Sequence, residues 1–463
     1  MMRTLPSLLL IYLSTSLWLV AQRPALIVTT DLGQDPDDEQ SIIRLLHYAN
    51  DFELLGLIVN ADANNDYEAA VLNDTLLHEL IDAYGVMEDN LRLHDDRYPT
   101  ATRLHGLVKR GRAGNSVHRS VRHYVGKGMD TEGSDWVVRQ VRAATGPVHI
   151  AVWGGGADVA QALWSAERRL NRRELAAFLD RLRLYFIGKQ DSSVDWIISR
   201  YPEVHTVLAL DPGGDKWGST YRGMFLGGDL DLTSRQWLDA YVLNGNPLAS
   251  RYPTETYTGG DDRNPHRALK EGDSPSFLYL IPNGLNHPEH PDWGGWGGRF
   301  TAAAGRLYVD ALDSLADGSG EVSGIATVHR WRPAFQRDFA ARVSWGVLNF
   351  EEANHLPLPR VSAGDVANIH TVTVPAGGAI TFDAGESSDE DGDVLAYRWY
   401  VYPEAGSLEG AADLLPTGVT GSTLTLTLPE LAPTGRTVHL ILEVTDEGEI
   451  PLTAYRRIVV TVE

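Results

Sequence analysis

The chain has 463 residues, 43% of them hydrophobic, and a formal net charge of −22. That length exceeds one compact domain, and the apolar fraction supports a sizeable core. The acidic balance argues against a nucleic-acid backbone or an anionic membrane surface as partner. The absence of cysteine excludes disulfide frameworks, cysteine nucleophiles and thiolate metal sites.

In chain order, Met1–Ala21 reads as a secretory signal: Arg3 opens it, and an apolar run from Leu8 reaches Val20. Ser14, Thr15 and Ser16 interrupt that run, which disfavours a stable membrane span. The expected location is therefore the periplasm or the exterior of a bacterium, with no membrane attachment once the signal is cleaved. From about 24 to 210, short apolar runs alternate with amphipathic ones. Strands are expected at Ala25–Thr29, Glu53–Val59, His149–Trp153, Leu184–Ile187 and His205–Leu208. Helices are expected at Glu39–Asn50, Tyr67–Tyr84, Trp136–Ala144, Ala157–Ala166, Arg173–Leu182 and Val194–Tyr201. This alternation predicts an α/β fold, an open, mostly parallel sheet with helices on both faces. From 211 to 355 the chain is rich in glycine and aromatic residues, with a helix expected at Phe335–Asn354. Pro357 and Pro359 mark a linker. Beyond 360 the hydrophobic period becomes two, and six or seven strand-like runs predict an immunoglobulin-like β-sandwich. The expected division is thus a signal at 1–21, an α/β domain at 22–355 and a sandwich at 356–463.

The stretch from Ile27 to Glu39 is the chemical focus. Asp31, Asp35, Asp37, Asp38 and Glu39 place five carboxylates in nine residues at the end of a buried strand. A helix start accounts for four of them: Asp35 as N-cap, Pro36 at the first position, and acids facing the positive end of the helix dipole. It does not account for Asp31. Carboxylates crowded at a strand end repel unless a cation compensates them, and calcium takes oxygen ligands of this kind. Asn60, Asp62, Asn64, Gln190 and Asp191 follow predicted strand ends, where they either hydrogen-bond a sugar or cap a loop. Trp293 and Trp296, among four glycines, form either a stacking platform for a pyranose or a tightly packed loop. His287 and His290 are too few for a metal shell. The acidic turn Asp389-Glu390-Asp391-Gly392-Asp393 in the sandwich either holds calcium or is a solvated turn. No nucleophile elbow, P-loop or dinucleotide fingerprint is present.

The opening stretch resembles the signature of inosine-uridine nucleoside hydrolases, an Asp-rich strand–turn–helix. Asp31-Leu32-Gly33 matches its D-P-G, and Asp37-Asp38 matches its terminal pair after an insertion. Phe52–Val59, Val152-Trp153-Gly154-Gly155 and Gly272-Asp273-Ser274-Pro275 are similar to later family elements. Ile187–Ser193, Gly272–Leu285 and Trp293–Arg299 are similar, more closely, to secreted bacterial proteins described as cellulose-binding, with a nucleoside-hydrolase-like domain and a C-terminal sandwich. The resemblance implies calcium held by Asp31, Asp38 and Asp273. It also implies catalytic roles for Asp31 toward water and for Asp37 toward the sugar. Asp35, Asn60, Asn64, Gln190, Asp191, Trp293 and Trp296 are the expected carbohydrate contacts. The chain departs from the family pattern at Thr29 (Asp in the family), Gly154 (Thr) and Gly272 (His). The leading expectation is an exported calcium-dependent glycosidase acting on an N- or O-glycosidic bond. The second is a cellulose- or carbohydrate-binding protein without turnover, and the third a periplasmic ribonucleoside hydrolase. Nucleic acid is not an expected partner, and a homo-oligomer is compatible with the sequence but not specified by it.

Overall fold

A computed structural model describes residues 23–61, 71–211, 213, 218–256, 263–315, 320, 322–362, 369–416 and 418–463. The expected signal segment and the Asp62 and Asn64 positions lie outside the described residues.

The first part of the chain is organised by an eight-stranded sheet. Its strands are β1 (Ala25–Thr30), β2 (Glu53–Val59), β3 (Val108–Arg110), β4 (Val148–Val152), β5 (Leu182–Phe186), β6 (His205–Leu208), β7 (Phe300–Ala304) and β8 (Leu307–Asp310). The spatial order is β3-β2-β1-β4-β5-β6-β8-β7. All neighbours pair in parallel except β7 and β8. Strand β1 is covered on both faces, as its unbroken apolar run requires. Leu26 and Val28 enter one buried cluster and Ile27 enters the other. Since β2 lies on one side of β1 and β4 on the other, the chain leaves β1 in one direction and returns past it in the other. The carboxyl end of β1 is therefore the switch point of the sheet, where open α/β folds form their crevice.

Several elements differ from expectation. The helix after β1 spans Pro36–His47, so Asp37 and Asp38 lie in its first turn. The helix expected at Trp136 begins at Glu132, fixed by a capping box between Thr131 and Ser134. Two short helices, Glu88–His94 and Ala101–Leu107, and the edge strand β3 that follows them were not expected. The β7–β8 hairpin was not expected. Its outer strand runs Phe-Thr-Ala-Ala-Ala with four exposed residues, and so carries no alternating pattern. The helix expected at Phe335–Asn354 is Arg332–Ser344, with Pro333 in its first turn.

A small pair, β9 (Asp313–Ser314) and β10 (Val322–Ser323), precedes the sandwich. The sandwich strands are β11 (Ile369–Val374), β12 (Ala379–Asp383), β13 (Ala396–Val401), β14 (Val419–Thr420), β15 (Thr423–Thr427), β16 (Thr437–Thr445) and β17 (Thr453–Val462). One sheet is β11-β17-β16-β13-β14, the other β12-β15. Trp399 is fully buried between them, and its indole N–H donates to the Gly421 carbonyl at 2.9 Å. The sandwich is seated on the first part through more than the linker. Tyr402 donates to Asp313 at 2.6 Å, and the Arg457 guanidinium donates to the carbonyls of Leu285 at 2.9 Å and Gly294 at 2.8 Å. The β17 backbone also bonds the 283–284 segment, through the amides of Tyr455 and Arg457.

Candidate metal and ligand centre

The turn after β1 is built to gather acids. Gly33 adopts φ +90, which reverses the chain tightly after Asp31. Asp35 occupies the N-cap position of the Pro36–His47 helix but makes no capping hydrogen bond. Its carboxylate pairs instead with Lys270, whose ammonium also lies 3.4 Å from Asp37. Thr30 donates to Asp38 through its hydroxyl, and the Leu32 amide fixes that hydroxyl at 3.2 Å. Asp31, Asp38 and Asp273 are buried, and Asp37 is partly so.

Asp273 arrives from a distant loop held by a buried ion pair. The Arg44 guanidinium, on the same helix as Asp37 and Asp38, donates to Glu271 at 2.5 and 3.0 Å. Tyr252 and Ser274 also donate to the Glu271 carboxylate. Gln40 accepts from the Lys270 and Glu271 amides at 2.8 and 3.0 Å. Under these constraints Glu271 takes φ +42, a conformation that persists only where the surroundings over-determine it. The turn then delivers Asp273 beside the first helical turn.

Asp37, Asp38 and Asp273 each offer a carboxylate oxygen, all within 4.8 Å of one another. Asp31 adjoins them, since its charge acts on both Asp38 and Asp273. Burial, and then mutual repulsion, pushes Asp38 and Asp273 well above the ordinary carboxylate range. Burial raises Asp37 to about 6 against the opposing pull of Lys270. One oxygen of Asp273, Oδ2, is buried without a hydrogen-bond partner. A hard-oxygen set with an orphaned carboxylate oxygen fits a divalent cation such as calcium.

These acids line a cleft of about 340 Å³ with Trp153, Gln190, Ser219, Tyr221, Arg222 and Lys270. The expected residues Asp31, Asp35, Asp37, Asp38, Gln190 and Asp273 thus meet in one place. Gln190 is held by the carbonyls of Trp153 and Ile187. Four other expected contacts do not line this cleft. Asn60 is buried, donating to the Gly155 carbonyl at 3.0 Å. Asp191 is buried and accepts from the amide and hydroxyl of Ser193, which anchors the start of the Ser193–Arg200 helix. Trp296 is fully buried, edge-on to Phe335 and Tyr455, so it offers no face to a sugar. Trp293 stacks on His290 at 4.1 Å under the sandwich.

The glycines around these tryptophans answer to packing. A side chain on Gly297 would collide with the Pro275 carbonyl and Tyr279, and one on Gly294 (φ +73) would lie 2.5 Å from the Tyr402 hydroxyl. The departure at Gly154 has the same kind of cause, since a Cβ there would sit 2.8 Å from the Asp31 carboxylate. At Gly272 a Cβ would meet Asp37 at 3.2 Å and Tyr221 at 3.3 Å. Lys270, Tyr221 and Arg222 were missed in sequence. Only Lys270 carried a signal, as the basic residue three before Asp273.

The family profiles assign this open α/β sheet, with its carboxylate-lined crevice at the switch point, to the nucleoside-hydrolase-like class. The profile of the cellulose-binding Sde182 family, nucleoside-hydrolase-like domain, matches residues 25–300, and that of the cellulose-binding protein Sde0182 C-terminal domain matches residues 379–462. The chain belongs to this family. Among solved structures it is similar to a nucleoside hydrolase-related hypothetical protein from Saccharophagus degradans that is associated with carbohydrate metabolism. The two share 28% identity and a TM-score of 0.76, over 96% of this chain and 100% of that one. A more remote likeness is to the inosine-uridine preferring nucleoside hydrolase from Bacillus anthracis, at 10% identity and a TM-score of 0.37 over 70% of this chain and all of the other. A search of curated proteins returned no match. Among the described residues no helix is long and apolar enough to cross a membrane.

Proposed function

We propose that the cleft is a calcium-dependent centre for a carbohydrate, and that the protein is an exported glycosidase. The observation that carries this reading is the convergence of Asp37, Asp38 and Asp273 within 4.8 Å, with Asp31 adjoining, in the lining of one cleft. These acids, brought by β1, the following helix and a distant loop, would hold the cation. When bound, it would supply Lewis acidity toward a water and toward sugar hydroxyls. Asp31 would accept a proton from the attacking water. Asp37, at the more open side beside Lys270, would hold a sugar hydroxyl. Gln190, Arg222 and Tyr221 on the walls would orient the ring. Direct attack by water at the anomeric carbon inverts configuration. The family's description as cellulose-binding and the relative's association with carbohydrate metabolism support a glycan over a nucleoside.

A second reading, a carbohydrate-binding protein without turnover, is favoured by one observation. The Lys270 ammonium already partly neutralises Asp35 and Asp37. The test is calorimetric calcium titration of the wild type and Asp38→Ala, followed by reducing-end assays on cellulose-derived and other cell-wall glycans. Calcium bound by the wild type and not by the variant, with sugar released, supports the glycosidase. Glycan binding without release supports the second reading. No calcium bound at this cleft overturns the proposed mechanism.

A further inference from the structure

The sandwich contributes a second group of unsatisfied oxygens, far in sequence from the cleft. Asp389 Oδ1 accepts from the amides of Asp391 at 2.9 Å and Asp393 at 3.3 Å, while its Oδ2 is buried without a partner. Asp446, only 2% exposed, uses Oδ1 for the amides of Gly448 and Leu452, both at 3.0 Å, and its Oδ2 is likewise buried and unpartnered. Asn354, in the segment leading into the sandwich, donates through Nδ2 to Asp446 at 3.2 Å and to the Ile450 carbonyl at 3.0 Å. Its Oδ1 is buried and unpartnered too. In each residue one polar atom fixes the side chain and one oxygen is left over.

Such oxygens are costly to bury unmatched. Among the described residues no Lys or Arg pairs with Asp389, Asp393 or Asp446. Asp391 is satisfied separately, by the His355 amide at 2.7 Å and its ring Nδ1 at 2.9 Å. The Asp389 charge acts on Asp446, and Asp393 feels Asp389, Asp391 and Glu447, so these acids are near neighbours. Asn354, Asp391, Asp393 and Gly448 also line a groove of about 600 Å³ between the Arg332–Ser344 helix and the sandwich.

We propose that Asp389, Asp446 and Asn354 form a second calcium site, which ties the sandwich to the end of the α/β part. Their hard oxygens suit calcium, with its flexible shell of six to eight ligands in which water fills the remaining positions. The ion's role here is structural, because its ligands come from two sandwich loops and from the segment that precedes them.

The test uses the full chain carrying Asp38→Asn, which disables the cleft centre, and titrates it with terbium and then with calcium alone. The Trp345 indole N–H donates to the Asn354 carbonyl at 2.9 Å, so terbium bound at this site should be sensitised by tryptophan excitation. The expected result is saturable emission at one ion per chain, displaced by calcium. Affinity should fall at least tenfold when Asp446→Asn or Asp389→Asn is added. Asp389→Asn keeps the Oδ1 acceptor of its turn, and circular dichroism establishes that each variant is folded. Absence of a saturable site in the Asp38→Asn chain, or emission unchanged by both substitutions, overturns the proposal. Calcium binding by the wild type that Asp38→Asn abolishes would leave the cleft centre standing alone. Binding untouched by Asp38→Asn but lost in the sandwich variants would do the reverse.

Discussion

The acidic strand end at 31–39 and the Trp-Gly stretch at 293–298 are the two most conspicuous segments of the sequence, and the fold treats them in opposite ways. The first is left electrostatically unresolved. Its carboxylates converge with Asp273, and burial and repulsion push their protonation upward. The second is resolved by packing, with only the Trp296 indole N–H left buried and unpartnered. Trp296 is enclosed by aromatic rings, Asn286 accepts from its amide at 3.0 Å, and the glycines admit neighbouring atoms where side chains would not fit. A charged cluster that cannot satisfy itself needs a ligand. An aromatic cluster can satisfy itself by packing, and the same residues that suggest a sugar platform serve equally well as the seat of another domain.

This contrast is sharpest in stability. Trp296→Ala should cost roughly 3–5 kcal/mol in urea unfolding, as expected for a large ring removed from a core. Trp293→Ala, partly exposed, should cost about 1 kcal/mol or less. Equal losses at the two positions would break the assignment of Trp296 to the core. Next in size, calcium at a hundredfold excess over its Kd should stabilise the wild type by about 2.7 kcal/mol. Asp273→Asn should lose the part of the gain that comes from the cleft, as read by thermal unfolding with and without chelator.

Without cation, the sign reverses. Asp37, raised to about 6 from its ordinary value of 3.8 by burial, binds its proton more tightly in the folded chain than in the unfolded one. Stability from this group is therefore full below the unfolded value and is lost as pH rises through about 6. Asp38 and Asp273, shifted in the same direction by burial and mutual repulsion, add to that loss. In chelator, then, Asp38→Asn should be more stable than the wild type at neutral pH, by about 1–2 kcal/mol. A less stable variant would mean that the acids are already neutralised within the chain. The smallest expected effect is on glycan affinity. Gln190→Ala should weaken binding about two- to tenfold, the worth of one hydrogen bond. Trp293→Ala should leave it within about twofold.

Much of this architecture was legible because it is written locally. The unbroken apolar run of β1, the glycine after Asp31 and the acids of the first helical turn lie within fifteen residues. The period-two runs of the sandwich are equally local. What could not be read was assembled across the chain. Lys270 reaches Asp35 from 235 residues away, and Arg44 meets Glu271 across 227. No local pattern reports such pairings. Gln190 and Asp191 are adjacent and of like polarity, yet one lines the cleft and the other anchors a helix, a distinction set by which way the strand-end loop turns. The β7–β8 hairpin escaped because alanines on an exposed edge carry no alternation.

The backbone pairing of β17 with residues 283–284 has a consequence for how such a chain can be inherited. Two parts joined only by a proline linker can be separated, duplicated or recombined. Here the last strand closes over the same loop that runs from the Asp273 turn toward Trp293, and Tyr455 completes the surroundings of Trp296. A gene truncated after residue 355 would encode a protein with its core opened beside its own crevice. The smallest heritable unit is then the pair, in keeping with a relative that aligns with this chain across 96% of its length.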